Sequence, residues 1–190
     1  YEDYTVDFDF SRQSFMFATT DGQNLIDPLV DRMERVCLQE YDLDELGKIV
    51  VIGLAEYKVE LDALTEVATV LRGNARAAQK MAGHIKTYLD GNDRTKFTLD
   101  DWKKLRKEMK INPLGLLNDE LQILQVLSRK SETRLTELAA ITMQSKGALQ
   151  KDLEMFLMKK ELMMILPTGR SLTAKGREYL RTSVLSVEGV

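Results

Sequence analysis

The 190-residue sequence has few of the residues that build chemical centres in proteins, with one cysteine, Cys37, and one histidine, His84. A single cysteine excludes an internal disulfide framework and every cysteine-based zinc site. No metal-ligating side chain lies at ligand spacing from His84, and one histidine gives no convincing Ser-His-Asp set. We therefore predict no metal site, no chemistry for His84 and a packing role for Cys37.

Long apolar runs are also missing. None approaches the ~20 residues that span a bilayer, and there is no signal peptide. The sequence thus predicts a cytoplasmic protein without a membrane partner, and the lone cysteine suits a reducing compartment.

The charge is balanced, with 27 basic and 30 acidic residues and a net charge of −3. This is not the basic field of a protein held to nucleic acid by overall charge, so any DNA contact has to be local. An apolar content of 44% is sufficient for a buried core in one large domain or two small ones.

The first forty residues have the rhythm of a parallel α/β sheet. "YTVDFDF" alternates, and "FMFATT" and "RVCLQEY" read as two further strands. Between them, Asp27 followed by Pro28 predicts an N-cap and the start of a short helix carrying Leu29 and Arg32. Because the chain enters a strand pattern directly after Tyr1, we expect it to begin within a larger domain.

The middle of the chain is helical. Apolar residues recur at helical spacing in four segments, for example at Leu64, Val67, Ala68 and Leu71. Asn74 and Thr98 predict the starts of the third and fourth helices. The pattern indicates a small four-helix bundle.

From about Leu117 the pattern changes again. Three helical segments are followed by "LMMIL", the turn "PTGR" and the polar "SLT", which predict a β-hairpin bending at Gly169. Three helices followed by a hairpin are typical of a winged helix.

Three stretches, "FMFATTDGQNLIDPLVDRM…QEYDLDELGKIV", "LRGNARAAQKM" and "KKELMMILPTGRSLTAKGREYL", resemble in order and spacing the second half of the RuvB family. Members of this family are AAA+ ATPases that drive branch migration of Holliday junctions. The resemblance implies a mainly α fold with a small α/β part. Residues 1–43 would end the AAA+ large-domain sheet, residues 44–114 would form the helical lid, and residues 115–190 would form the winged helix.

Two motifs of an active ATPase are not found in the 190 residues. There is no G-x-x-x-x-G-K-[ST] loop for phosphates and no Asp-Glu pair after an apolar strand for magnesium. In the family both precede the sensor-1 strand. The resemblance implies ATP as the cofactor, with its Mg²⁺ held by residues outside these 190. The 190 residues would then be part of an AAA+ ATPase and DNA helicase. They would be inactive alone.

The resemblance assigns three residues to ATP hydrolysis. Thr20 matches sensor 1, which orients the attacking water, with Thr19 as a possible substitute; Arg32 matches a trans-acting arginine finger; Arg76 matches sensor 2. The family has a second arginine where this chain has Val30. The alternatives remain a strand-end threonine pair, an ion pair of Arg32 with a neighbouring carboxylate, and a solvated arginine at position 76.

Further residues correspond to binding positions. Tyr41 and Ile49 match hinge positions that pack against adenine, and are equally explained as core. Ala75, beside the sensor-2 arginine, stands where the family usually has proline.

The winged helix supplies the candidate DNA contacts. Lys146 and Lys151 lie on its third helix, and Thr168 and Arg170 lie at the wing turn; such residues usually contact phosphates. Ile165 and Thr168 occupy positions that are often basic in the family, so a weaker grip on DNA is expected. The alternative for the lysines is a solvated helix face.

The leading hypothesis is a subunit of a ring-shaped motor, a hexamer, that acts on branched DNA in recombination and repair together with a RuvA-like junction-binding protein. Two alternatives stay open. One is a non-catalytic winged-helix adaptor derived from an AAA+ protein, and the other is an AAA+ replication initiator or helicase loader that prefers specific duplex DNA.

Overall fold

The computed structural model describes residues 7–188, with side chains described up to residue 182. Within this part, the chain divides after Gln39 into two units. The first is largely irregular and the second is mainly helical with two small sheets. The predicted mainly α class is confirmed.

The first unit differs from the expectation of a sheet. Residues 7–39 contain a 3₁₀ turn, Gly22–Asn24, and one short helix, α1 (Asp27–Val30), but no strand. The predictions of strands at "FMFATT" and "RVCLQEY" are therefore wrong, and part of "YTVDFDF" lies outside the described residues. A strand is stabilised by hydrogen bonds to a neighbouring strand, and residues 7–39 offer none. Consistently, Met16 is 97% exposed.

The helix α1 begins one residue earlier than predicted. Ile26 is the capping residue and Asp27 is already helical, without a capping hydrogen bond from its side chain. Pro28 takes the second position, where its missing N–H costs nothing. Arg32 follows the helix rather than lying within it.

The second unit begins with the predicted bundle of four helices, α2 (Leu43–Gly53), α3 (Leu61–Val70), α4 (Ala75–Gly91) and α5 (Leu99–Glu108). A short parallel pair, β1 (Lys58–Val59) with β2 (Lys96–Phe97), ties the segments before α3 and α5 together. Reciprocal capping boxes begin α2 at Asp42 and α5 at Thr98. Their apolar faces share one core, whose largest members are Leu46, Leu54, Ile85, Leu89, Phe97 and Trp102.

The remaining residues form a winged helix, as predicted. Its helices are α6 (Asn118–Arg129), α7 (Leu135–Thr142) and a third helix, residues 146–159, made of α8 (Lys146–Ala148), a π-helical turn (Leu149–Leu153) and α9 (Glu154–Lys159). The wing is the antiparallel hairpin of β3 (Met163–Leu166) and β4 (Gly169–Leu172), and Thr133 bridges to Arg170 of β4. A further helix, α10 (Ala174–Glu188), was not predicted. These elements enclose a second core, separate from that of the bundle.

A buried carboxylate fixes the start of α5. The Asp101 side chain is fully buried and accepts hydrogen bonds from the Thr98 N–H at 3.0 Å, the Thr98 hydroxyl at 2.7 Å and Arg94 Nη1 at 2.6 Å. Burial alone would raise the pKa of Asp101, but the hydrogen bonds from Thr98 and the Arg94 guanidinium outweigh it and hold this pKa below its usual value. The bundle is therefore stabilised by the ionised form.

We expect Asp101→Asn to destabilise the protein at pH 7 by about 1.5–3 kcal/mol, the range for hydrogen bonds to charged groups. Because the folded-state pKa is lowered, the stabilisation is complete above the unfolded value of about 3.9 and is lost as the pH falls through the folded value. Urea unfolding at pH 7, 4 and 3 should show the difference from wild type shrinking with pH. Asp100→Asn, at an exposed neighbour, should change little, and a pH-independent difference for Asp101→Asn would contradict the expectation.

Candidate nucleotide and DNA-binding sites

The start of α4 presents an arginine without a local counter-charge. Asn74 Oδ1 accepts hydrogen bonds from the N–H groups of Arg76 at 2.9 Å and Ala77 at 3.2 Å. These N–H groups are therefore engaged by the predicted cap rather than free for a phosphate. Arg76 is exposed, and the first turn contains no acidic residue.

A cation in the first turn of a helix opposes the helix dipole, which costs a few tenths of a kcal/mol or more. Among the described residues no carboxylate pairs with the Arg76 guanidinium. The position is electrostatically unfavourable for folding but suits the binding of an anion.

Other predicted binding residues lie close to this helix end. The N–H of Tyr41 donates to the carbonyl of Gly73 at 3.3 Å, so Tyr41 lies beside the loop that leads into α4. Its side chain is 47% exposed. Ala75, the first residue of α4, is half-buried. The structure thus brings Tyr41, Ala75 and Arg76 to one end of α4.

Ile49 has a packing role. It lies on α2, half-buried, and packs against the core of the bundle. This is the alternative that the sequence left open, and a contact with adenine stays a prediction.

Within the first unit, the two predicted catalytic residues are exposed. The hydroxyl of Thr19, rather than that of Thr20, accepts a hydrogen bond from the N–H of Asp21 at 3.0 Å. Arg32 Nη1 donates to the carbonyl of Pro28 at 3.0 Å. Within residues 7–39, Arg32 has no ion pair with the adjacent Asp31 or Glu34, so its charge is not compensated by these neighbours.

Arg32 also lies in a shallow depression that is otherwise apolar. Phe15, Phe17, Leu29 and Met33 line it. The Arg32 guanidinium is therefore accessible to solvent on an apolar, open surface.

The third helix of the winged helix presents two lysines to solvent. Lys146 and Lys151 are exposed, and with the side chains of residues 7–182 neither forms an ion pair. The π-helical turn Leu149–Leu153 lies between them. Thr168, at the wing turn, is also exposed.

Arg170, predicted to contact phosphate, is largely buried rather than directed into solvent. Its Nε and Nη2 atoms lie 2.8 and 3.1 Å from the two carboxylate oxygens of Glu154 on α9. The side chains are 11% and 1% exposed, respectively. In this arrangement the guanidinium is already satisfied by a two-point ion pair, which gives Arg170 a structural role in the wing, and its contact with phosphate stays a prediction.

Glu154 was missed by the sequence reasoning, although a signal exists. It lies at the edge of the apolar face defined by Leu149, Leu153 and Leu157. A carboxylate at the edge of a core face requires a cationic partner. The sequence does not say which one, because the partner comes from a different element.

Among the described residues, no cluster of three or more histidine, cysteine or acidic side chains could hold a metal ion. No described helix has the length and apolar character that a membrane crossing requires.

The second unit thus defines the class of protein in which a four-helix bundle precedes a winged helix. The comparisons with known proteins agree and are more specific. Residues 113–181 match the family "RuvB C-terminal winged helix domain". Over these residues the chain is similar to that family.

Two relatives cover nearly the whole chain. The Holliday junction branch migration complex subunit RuvB of Wolbachia sp. subsp. Brugia malayi is 27% identical over 180 residues, 93% of this chain and 55% of the relative. The corresponding subunit of Campylobacter hominis is 25% identical over 181 residues, 93% of this chain and 53% of the relative. The chain thus spans about half the length of these relatives.

The solved structures support the fold. The Thermotoga maritima RuvB Holliday junction branch migration motor matches with a TM-score of 0.69 at 24% identity, over 83% of this chain and 55% of the solved one. At this identity the likeness establishes the architecture of helical bundle and winged helix, and the roles of individual residues require separate tests.

Proposed function

We propose that the protein acts in a RuvB-like, ATP-driven motor that moves branched DNA in recombination and repair. The observation that carries the proposal is the winged helix at residues 113–181 with Lys146 and Lys151 exposed on its third helix. Lysines on such a helix bind phosphates without selecting sequence, as a motor that travels along DNA requires.

The nucleotide part of the proposal is supported by the start of α4. There, Arg76 has no compensating carboxylate among the residues that the structure describes, and Tyr41 offers a half-exposed ring beside the same loop. Arg76 is suited to bind nucleotide phosphates, and bound ATP with Mg²⁺ would supply the chemical energy. The residues that hold Mg²⁺ are not among those described.

The remaining roles follow from the kinship with RuvB. Thr20 would orient the attacking water, and Arg32 would reach the nucleotide of a neighbouring subunit in a hexameric ring. Residues 1–43, 44–114 and 115–190 would be the end of the large domain, the lid and the winged helix. A RuvA-like partner and a cytoplasmic location belong to the same proposal.

The proposal is tested by comparing the binding of this chain to a four-way junction and to linear duplexes of equal length. Fluorescence anisotropy at several salt concentrations should show tighter binding to the junction. Preference for one duplex sequence would favour an initiator or loader instead. Equal, weak binding to all DNA would contradict the proposal.

Lys146→Ala and Lys151→Ala should each weaken junction binding and reduce the salt slope, the dependence of log K on log salt, by about 1, because each removes one phosphate contact. Lys103→Ala, which removes an exposed lysine of the bundle, is the matched control and should leave the slope unchanged. Equal slopes for all three variants would place the DNA site elsewhere.

A further inference from the structure

One loop of the lid is held by the winged helix. This loop, residues 71–74, joins α3 to α4 and so leads into the proposed nucleotide site. Arg72 has a positive φ of 58°, a conformation that is costly for residues other than glycine. Such a backbone conformation persists only where surrounding contacts hold it. The contacts of the Arg72 side chain therefore fix the conformation and the position of the loop.

The Arg72 guanidinium binds the first helix of the winged helix. Its Nη1 and Nη2 atoms lie 3.2 and 2.8 Å from the carboxylate oxygens of Glu120 on α6. The Glu120 side chain is fully buried and also accepts the N–H of Leu117 at 2.8 Å. Among the described residues Arg72 is its one cationic partner. A buried carboxylate needs a compensating charge, so the loop is fixed to α6.

The same guanidinium binds the third helix. Its central carbon lies 3.6 Å from the centroid of the Phe156 ring on α9, within the range of a cation–π contact. Phe156 belongs to the helix that carries Lys146 and Lys151. One side chain of the lid therefore contacts two helices of the winged helix, including the one proposed to bind DNA.

Further contacts hold this loop and its neighbours against the winged helix. A Cβ on Gly115 would lie 2.3 Å from the carbonyl oxygen of Val70, so the linker between bundle and winged helix lies against the end of α3. Lys159, at the end of α9, forms an ion pair with Glu40. The adjacent Tyr41 bonds to Gly73 in the loop. These contacts leave the loop little freedom to move independently of the winged helix.

We infer that Arg72 is a positioning residue that makes the start of α4 and the third helix of the winged helix move as one body. A displacement of Arg76 on binding nucleotide phosphates is thereby carried to Lys146 and Lys151. The ligands named here rest on the proposed function, whereas the mechanical connection rests on the contacts of Arg72 and on the neighbouring contacts of the same loop.

The connection is tested by a distance measurement that needs no ligand. Spin labels are placed at Lys80→Cys on α4 and Gln125→Cys on α6, in a Cys37→Ser background. Double electron–electron resonance then gives the distribution of distances between the bundle and the winged helix. We expect one narrow distance distribution for the parent protein and a broad one for Arg72→Met. Arg181→Met, which removes an exposed ion pair, is the control and should stay narrow. A narrow distribution for Arg72→Met overturns the inference.

A second variant guards against loss of the fold. Arg72→Lys keeps a positive charge near Glu120 but loses the two-point geometry and the flat group that stacks on Phe156. We expect the circular dichroism spectrum of the parent protein with a distance distribution of intermediate width. An unchanged distribution in this folded variant would also count against the inference.

The transmission to DNA has its own measurement, the ratio of four-way-junction affinities with and without a non-hydrolysable ATP analogue. In Arg72→Lys this ratio should move towards 1, the value for uncoupled sites, while junction affinity without nucleotide is unchanged. A ratio equal to that of the parent protein overturns the transmission. If the parent protein itself shows no effect of nucleotide, the proposed function fails, and the distance measurement still decides the role of Arg72.

Discussion

Replacing Arg170 by methionine should destabilise the winged helix by about 3–5 kcal/mol, the range for removing one partner of a buried ion pair. The variant leaves the Glu154 carboxylate, 1% exposed, without its cation. Methionine keeps most of the length of the side chain, so the loss reports the unpaired charge rather than a cavity. Urea unfolding at pH 7 measures the free energy.

The double variant Arg170→Met with Glu154→Met should recover most of this loss. With both charges removed there is no buried ion to desolvate, and apolar replacements of buried pairs are often neutral or stabilising. Arg181→Met, at the exposed pair with Glu178, should cost no more than about 1 kcal/mol. If Arg170→Met lowered the free energy of unfolding no more than Arg181→Met, the Arg170 guanidinium would not be paired with Glu154 in solution. It would then be available for the predicted contact with DNA.

Gly176→Ala should destabilise the winged helix by about 1–3 kcal/mol, the usual cost of overpacking. A Cβ at this position would lie 2.1 Å from the carbonyl oxygen of Leu162 and 2.8 Å from a methyl carbon of Leu172. The Leu162 carbonyl accepts a hydrogen bond from Thr173 at 3.2 Å, so it cannot move away without breaking the contact that sets α10 against the wing.

The same substitution at Gly83 should have the opposite sign. Gly83 lies within α4, and a Cβ there would meet nothing within 4 Å. Gly83→Ala should stabilise the protein by about 0.5–1 kcal/mol through the higher helix propensity of alanine. Thermal unfolding of the two variants compares the changes in melting temperature directly. A lower melting temperature for both would contradict the open environment of Gly83.

The helices were predictable because their signals are local. Asn74 and Thr98 cap α4 and α5 as their sequences predict, and the apolar stripes of the bundle and the winged helix face the two cores. The hairpin at Gly169 was predictable for the same reason, since its turn and strand residues are adjacent in the chain. Capping and helical periodicity depend on residues within about four positions of each other.

The irregular structure of residues 7–39 was not predictable in this way. "FMFATT" has the composition of a buried strand, yet Phe15, Met16 and Phe17 are exposed and unpaired in residues 7–39. Composition reports what a segment would do beside a partner strand, and it carries no information on whether the partner is present.

The sequence by itself determined the helices of the bundle, the winged helix with its hairpin, and the apolar faces of the two cores, because each follows from spacing along the chain. Only the tertiary structure decided how the charges are used. It turned Arg170 inward to Glu154, placed Arg72 between Glu120 and Phe156, and left Arg32, Arg76, Lys146 and Lys151 without ion pairs among the described residues. The physical reason is that an ion pair depends on distance and burial in space, and residues 48 positions apart in the sequence meet only when the chain has folded.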